Sequence, residues 1–422
     1  MNDKLITKEI ANIRQEPGYL YERFVGDVIP SYDLTLKEEL GGKLASYRRC
    51  LYDDQVMVGY QQRCRALTSR PLIVLPGAAD IQSINAAFAL ESDLQNLGFD
   101  LPTEQMLKNA LHFGASIAEL MYEIKPALVK PAVYDDSGSL ISSPVFQERV
   151  VFSNIVVKAR EMFVFGKNKE LRMLTEEEPI SGVELPRSKF WVLTFGGVDD
   201  NPNGIGLAST LYWLVWFKRN VLKFWSIFLD KFGNPTVVGE YPHGIEQQEQ
   251  SRLLNAISRV SSDSGIIIPE GMKIYMLEAS RTGSASYNEF VNMINTQIAL
   301  VIMGQTMTST DGASFAQAKI HFKMFTSDIV GGDGDLIGES FSSTAAKWWL
   351  YHNRFVFPGA SPPIIKRGIQ DIEDLKTKAE IDLILSKMGW NLTTEEVKKR
   401  YGEGYVYGQK EQSQNQEGRD RD

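Results

Sequence analysis

Ile205-Gly-Leu-Ala-Ser-Thr-Leu-Tyr-Trp-Leu-Val-Trp-Phe-Lys-Arg-Asn-Val-Leu-Lys-Phe-Trp-Ser-Ile-Phe-Leu229, closed by Phe232-Gly233-Asn234-Pro235, decides how this chain is read. Its apolar residues follow helical spacing but spread further round the axis than one buried face requires. Lys218, Arg219, Asn220 and Lys223 lie in its middle, where a lipid-exposed helix would lose about 2.5 to 3.5 kcal/mol for each cation. The stretch is therefore expected to be a helix buried by protein on more than one side, not a membrane span.

Downstream, the order of elements is informative. Thr236–Tyr241 and Gly265–Leu277 read as strands flanking a helix from Glu246 to Val260. A module of about fifty residues is too small for a substantial core and is expected to depend on neighbours. A second helix, Ser286–Met303, places Phe290, Ile294, Ile298 and Val301 on one face. The loop Gly304–Gly312 follows, and Ser314 is positioned to cap the next helix, which carries Ala318, Phe322 and Phe325. Gly331-Gly-Asp-Gly-Asp335 reads as a turn or hinge that interrupts that helix before Leu336–Tyr351 resumes it.

Upstream, a mixed arm gives way to a helical pattern over Leu34–Thr68, and Leu72–Leu75 reads as a short buried strand. Helices are expected at Ala79–Leu97 and Thr103–Phe113, with Gly98 and Gly114 as left-handed caps. The period then changes to two, with Ala118, Leu120, Tyr122 and Ile124 alternating with polar neighbours. Strands are expected at Phe146–Val151, Asn154–Phe165, Leu171–Leu174 and Phe190–Phe195. The fold class is α+β with a mostly antiparallel sheet. Towards the end, a helix is expected from Asp371 to Met388, stopped by Gly389. Thr393-x-x-Glu396 is a capping box, and the polar final residues are expected to be disordered.

The composition argues against several function classes. With 422 residues and 43 % hydrophobic content the chain can bury real cores, and a net charge of −8 does not suit a surface built to grip nucleic acid. Cys50 and Cys64 belong to no CxxC or Cys/His cluster, and the N-terminus has no apolar signal core, so neither metal binding nor secretion is implied. Gly42-Lys43-Leu44 and Gly166-Lys167-Asn168 lack the leading glycine and the hydroxyl residue of a phosphate loop. His112, His243, His321 and His352 are widely separated, and Asp333-x-Asp335 lacks the later ligands of a calcium loop. Asp199-Asp200 reads as part of a solvated turn, and no G-x-S-x-G elbow occurs. No catalytic residue, metal or cofactor is expected.

Asn203-Gly204-Ile-Gly-Leu207, Phe217-Lys218, Phe232-Gly233-Asn-Pro235 and Val238-Gly239-Glu-Tyr-Pro242 stand in a set order with Ile267-Ile-Pro269-x-Gly271, Ile302-Met-Gly-Gln-Thr306-Met-Thr308 and Ala318-Lys-Ile-His321. In that order and spacing the chain resembles the portal proteins of tailed bacteriophages, specifically the Mu-like portal family. Weaker matches at Arg63–Pro76, Gly114–Tyr122 and Ala379–Gly389 extend the resemblance over most of the chain.

The resemblance implies a portal fold closed into a 12-mer ring at one capsid vertex of the virion, assembled in the host cytoplasm. It implies a wing over residues 1–203, stem helices at 204–231 and 284–303, a clip at 232–283 and a tunnel loop at 304–313. The long wing helix would span 314–358, a small helical crown 359–402 and a tail 403–422. Implied partners are the terminase large subunit, the major capsid protein, head-completion, adaptor and neck proteins, and double-stranded DNA bound without sequence preference. Trp213, Trp216, Phe217, Phe224, Trp225 and Phe228 would pack between stems. Tyr241, His243, Glu246, Glu249 and Arg252 would dock partners on the clip. Thr306, Thr308, Ser309, Thr310 and Gly312, with Lys319 and Lys323 one turn apart beyond them, would face the channel.

The residues agree with these assignments and leave alternatives open. A stem meets neighbours on both flanks, yet a central helix of a monomeric core accounts for the aromatics equally well. A Thr306–Gly312 loop without cations would let phosphates slide past, yet it also reads as an ordinary connection. Lys319 and Lys323 fit phosphate guides or solvated surface. Lys218, Arg219 and Lys223 could pair with acids of a neighbouring stem. The rival reading is a soluble enzyme or monomeric ligand-binding protein whose site lies in the N-terminal α+β region.

Overall fold

The computed structural model describes residues 28–40, 42–134, 140–197, 199–233, 236–244, 246–260, 273–277, 283–305, 325–368 and 382–388. The chain divides into one unit spanning Met1–Gly368 and a second spanning Ile369–Asp422, in which 382–387 are helical.

The first unit is built around a central strand. Helix α1 (Asp54–Thr68) leads to β1 (Leu72–Leu75), then α2 (Ile81–Leu97) and α3 (Asp100–Phe113). Strand β2 (Ala115–Lys130) pairs antiparallel with β3 (Val145–Lys158) along most of its length and with β6 (Phe190–Thr194) over Ala115–Glu119. The short strands β4 (Phe163–Phe165) and β5 (Leu171–Met173) form a separate ladder that Val183–Glu184 extends. Helix α4 (Ala208–Gly233) follows, then β7 (Thr236–Glu240), α5 (Gln247–Val260), β8 (Lys273–Leu277) and α6 (Gly283–Met303). The unit ends with α7 (Val330–Phe341), α8 (Lys347–His352) and β9 (Ile364–Arg367).

Local chemistry accounts for the boundaries. Asp53 and Asp80 accept backbone N–H bonds at the starts of α1 and α2, and Gly98 and Gly114 end α2 and α3 with φ of 70° and 88°. The largest core contacts are aromatic. Trp191 meets the Phe341 ring edge-on at 5.0 Å and stacks on Phe99 at 5.9 Å. Arg149, buried, forks onto Asp93 with two bonds of 2.7 Å, and Trp349 Nε1 donates to the same carboxylate at 3.0 Å. At the open edge of β3 the Asn353 amide acts as a substitute strand. Its Oδ1 accepts from Val150 N at 2.9 Å and its Nδ2 donates to Val150 O at 2.8 Å.

Several expectations are corrected. The single helical pattern over Leu34–Thr68 is broken into Thr35–Glu39, Ala45–Arg48, Arg49–Tyr52 and α1, because Gly42 turns the chain with φ of 77° and Asp53 is extended at the cap. Strand β1 buries only Val74, since its neighbour is the single strand β9. Ile124 is 74 % exposed, because β6 stops opposite Glu119 and leaves the outer part of the hairpin two strands wide.

Gly331–Asp335 is not a turn: α7 runs through it. A Cβ on Gly334 would lie 3.3 Å from Leu67 and one on Gly338 would lie 2.4 Å from the Ile365 carbonyl, so these glycines admit close packing. Ile364–Arg367, which fall in the stretch expected as a small helical crown, are instead a strand paired with Leu72–Leu75 inside the first unit. The expected Ser314 cap and the helix stop at Gly389 lie outside the described residues.

Candidate functional site

Helix α4 begins on a turn that glycine alone can make. Gly204 has φ of 62°, and a Cβ there would fall 2.1 Å from the Phe195 carbonyl. A Cβ on Gly206 would fall 2.0 Å from the His112 carbonyl. Asn203 locks the approach, its Nδ2 donating to Ile29 O at 3.1 Å and its Oδ1 accepting from Arg160 at 2.7 Å. The Asn203–Leu207 signature is thus a packing device that aims α4.

The first half of α4 is anchored in the body. Ala208, Leu211 and Val215 are buried, Ser209 Oγ donates to Asp33 at 2.8 Å, and Lys218 is 4 % exposed with Nζ 2.9 Å from Asp53 and also bonded to Asp54. This pairing within the chain corrects the expectation that Lys218 serves a neighbouring stem. Arg219 donates to the Arg49 carbonyl at 2.7 Å.

The second half of α4 is different. Phe224, Ile227 and Leu229 are 57 %, 53 % and 50 % exposed; in the first half Trp216 and Phe217, on the side away from the core, are also open. A helix of 26 residues extends about 39 Å, enough to carry its far end beyond the core.

Helix α6 packs beside α4. Its last turns are core, with Ile294, Ile298, Ala299 and Ile302 buried, whereas Asn288, Glu289, Asn292, Met293 and Gln297 are exposed. The six aromatics singled out from sequence divide into groups. Trp213, Trp216 and Phe217 form one cluster, with centroids 5.1 to 6.3 Å apart. Trp225 stacks on Tyr287 of α6 at 6.4 Å and Phe228 meets the same ring at 5.8 Å, while Phe224 points away with most of its surface open. Tyr287 is the partner that sequence reasoning missed; its signal was an aromatic at the start of the second helix.

Between the two helices β7 and β8 pair antiparallel, Thr236 opposite Leu277 and Glu240 opposite Lys273. Helix α5 sits on them through buried Leu253. A Cβ on Gly239 would be 2.6 Å from Ile257 and 3.1 Å from Leu253, so glycine lets the helix approach the strand. Tyr241, His243, Glu246 and Arg252 are exposed and Glu249 is half-buried. Thr306, Thr308, Ser309, Thr310, Gly312, Lys319 and Lys323 lie outside the described residues.

The ionisable groups of the body serve structure. Burial pushes the His112 imidazole down to about 4; its Nε2 lies 2.9 Å from the Tyr47 carbonyl and its Nδ1 3.1 Å from the Tyr60 hydroxyl. Burial also pushes the Cys50 thiol up to about 11 and that of Cys64 up to about 12, so both are protonated at neutral pH. A cavity of about 450 Å³ lined by Ile29, Leu36, Leu44 and Phe163 has Arg160 in its wall, already bonded to Phe163 O and Asn203 Oδ1. No group of three or more His, Cys, Asp or Glu among the described residues could hold a metal ion. None of the described helices is long and apolar enough to cross a membrane.

Two core-anchored helices carrying a strand–helix–strand module on an α+β body define the portal class of fold. At 12 % identity the fold matches chains of the neck of an empty gene transfer agent particle computed with C6 symmetry, TM-score 0.54, covering 88 % of this chain and 94 % of that one. It also matches the neck of the native particle computed with C12 symmetry, TM-score 0.51, covering 85 % and 92 %.

The family described as the portal protein of Mu bacteriophage matches residues 44–403, and the chain belongs to that family. Curated relatives include the Mu-like prophage FluMu protein gp29 of Haemophilus influenzae, 31 % identical over 115 residues, and the portal protein of Escherichia phage Mu, 30 % identical over 113 residues. Each alignment spans 27 % of this chain and 22 % of the relative.

Proposed function

We propose that this protein is the portal, or head–tail connector, of a tailed bacteriophage. About a dozen copies close a ring at one capsid vertex, and double-stranded DNA enters and leaves through the bore. The observation that carries this reading is the unequal burial of α4 within a portal-family chain: its first half is anchored in the body through Ala208, Leu211, Val215 and Lys218, and its second half presents Phe224, Ile227 and Leu229 to solvent. Large apolar side chains left open on an outboard helix mark a surface for other protein, and a ring supplies such a surface on both flanks.

The ring is a passive conduit without a catalytic step of its own. The energy for packaging comes from a separate nucleotide-hydrolysing motor, the terminase, which docks on the β7–α5–β8 module through Tyr241, His243, Glu246, Glu249 and Arg252; adaptor and neck proteins replace it later. The body meets the major capsid protein. Residues 304–313 touch the passing genome, and Lys319 and Lys323 guide its phosphates. The protein resides in the virion after assembly in the host cytoplasm.

Solution mass with negative-stain imaging tests this reading. Annular particles of roughly half a megadalton are expected if about twelve chains of 47.5 kDa close a cycle. A monomer at every concentration would overturn it.

A further inference from the structure

Arg63, on α1, is 7 % exposed and joins two elements distant in sequence. Its Nε and one terminal nitrogen donate to the two Asp333 carboxylate oxygens at 2.7 and 2.9 Å, and the other terminal nitrogen donates to the Ile302 carbonyl at 2.6 Å. Ile302 lies in the last turn of α6 and Asp333, 3 % exposed, in the first turn of α7. One guanidinium therefore holds both feet of the segment that departs after Met303 and returns at Val330.

Packing on either side of Arg63 repeats the arrangement. One turn earlier, a Cβ on Gly59 would lie 3.1 Å from Ile302; one turn later, Leu67 lies 3.3 Å from the Cβ position of Gly334. The feet also touch each other, since a Cβ on Gly304 would fall 2.6 Å from Ile329.

A buried ion pair adds little net stability, because desolvation offsets the attraction. What a forked guanidinium supplies beyond an apolar pair is a set angle between its partners. Here it also satisfies a carbonyl at a helix C-terminus, where the last four have no intrahelical donor and the helix dipole favours a cation.

We propose that Arg63 is a positioning residue: it sets the spacing and angle between the end of α6 and the start of α7, the two points between which the genome-touching residues of the proposed function are hung. The inference rests on the portal reading of those residues. Packing quality and pore placement are separable by exchanging the pair for apolar residues.

The test compares rings of the unaltered chain, of Arg63→Met with Asp333→Leu, and of Arg63→Lys, whose compact ammonium cannot fork across both Asp333 oxygens and also reach the Ile302 carbonyl. Limited trypsin cleavage after Lys319 and Lys323 is expected to rise about tenfold in both variants, with cleavage elsewhere unchanged. DNA packaged per particle is expected to fall while rings still form. If the double variant does not fold, Arg63→Lys carries the test alone. Unchanged cleavage and packaging in intact rings would overturn the inference, and a rise at sites throughout the chain would assign Arg63 a purely structural role. Absence of rings from the unaltered protein would instead sink the portal reading.

Discussion

The two halves of α4 have similar aliphatic and aromatic content and opposite surroundings. From Ala208 to Lys218 the core-facing side chains are buried in the chain's own body; from Leu222 to Leu229 Phe224, Ile227 and Leu229 are half exposed or more. The difference is that the first half has Ala45–Tyr52, α3 and α6 around it, whereas the second, among the described residues, meets α6 through Trp225, Phe228 and Tyr287. A helix that is apolar beyond the reach of its own core offers a surface to other protein, and under the proposed function that protein is a second copy of the chain.

Substitutions should separate the halves. The largest loss of stability is expected from Lys218→Ala, which leaves Asp53 buried without its cation and costs about 3 to 5 kcal/mol in chemical denaturation. Leu211→Ala, at a fully buried position in the same half, should cost about 2 to 5 kcal/mol. A loss below about 1 kcal/mol at either position would mean that the inner half is not core.

His112 sharpens the same contrast through pH. In the folded chain its imidazole stays neutral down to about pH 4, whereas unfolded it takes up a proton near its ordinary value of 6.5. The unfolded state therefore binds more protons in this window. The contribution, about 3 kcal/mol, is whole above pH 6.5 and is lost as pH falls towards 4. Denaturation midpoints of the unaltered chain and of His112→Gln, followed from pH 7 to 4, should show a flatter profile for the variant. Parallel profiles would remove His112 from the account.

The smallest effect on subunit stability is expected in the outer half. Phe224→Ser with Ile227→Ser should change the stability of the isolated subunit by less than about 1 kcal/mol, because both side chains are exposed, yet should abolish ring formation in sedimentation. Intact rings would return these residues to ordinary surface.

Much of the fold was legible because it rests on local rules. Gly98 and Gly114 are helix caps whose left-handed backbone is a local requirement, and the strand that follows Ala115 is visible in a short window of sequence even though its outer residues are open. The pair of helices around a small module could also be read in order. What was illegible depends on long-range contact. Gly334 and Gly338 are glycines because Leu67 and Ile365 press on them, although a glycine run taken locally signals a turn. Lys218 resembled a surface cation because Asp53 lies far upstream. Arg63 gave no sign that it would bridge Ile302 and Asp333.

An electron-microscopic reconstruction of the assembled particle tests the central claim most directly. Phe224 and Ile227 are expected to lie buried against an adjacent copy, with Ala208, Leu211 and Val215 still enclosed by their own subunit. Phe224 and Ile227 left in solvent within a closed ring, or a particle containing a single copy, would contradict it.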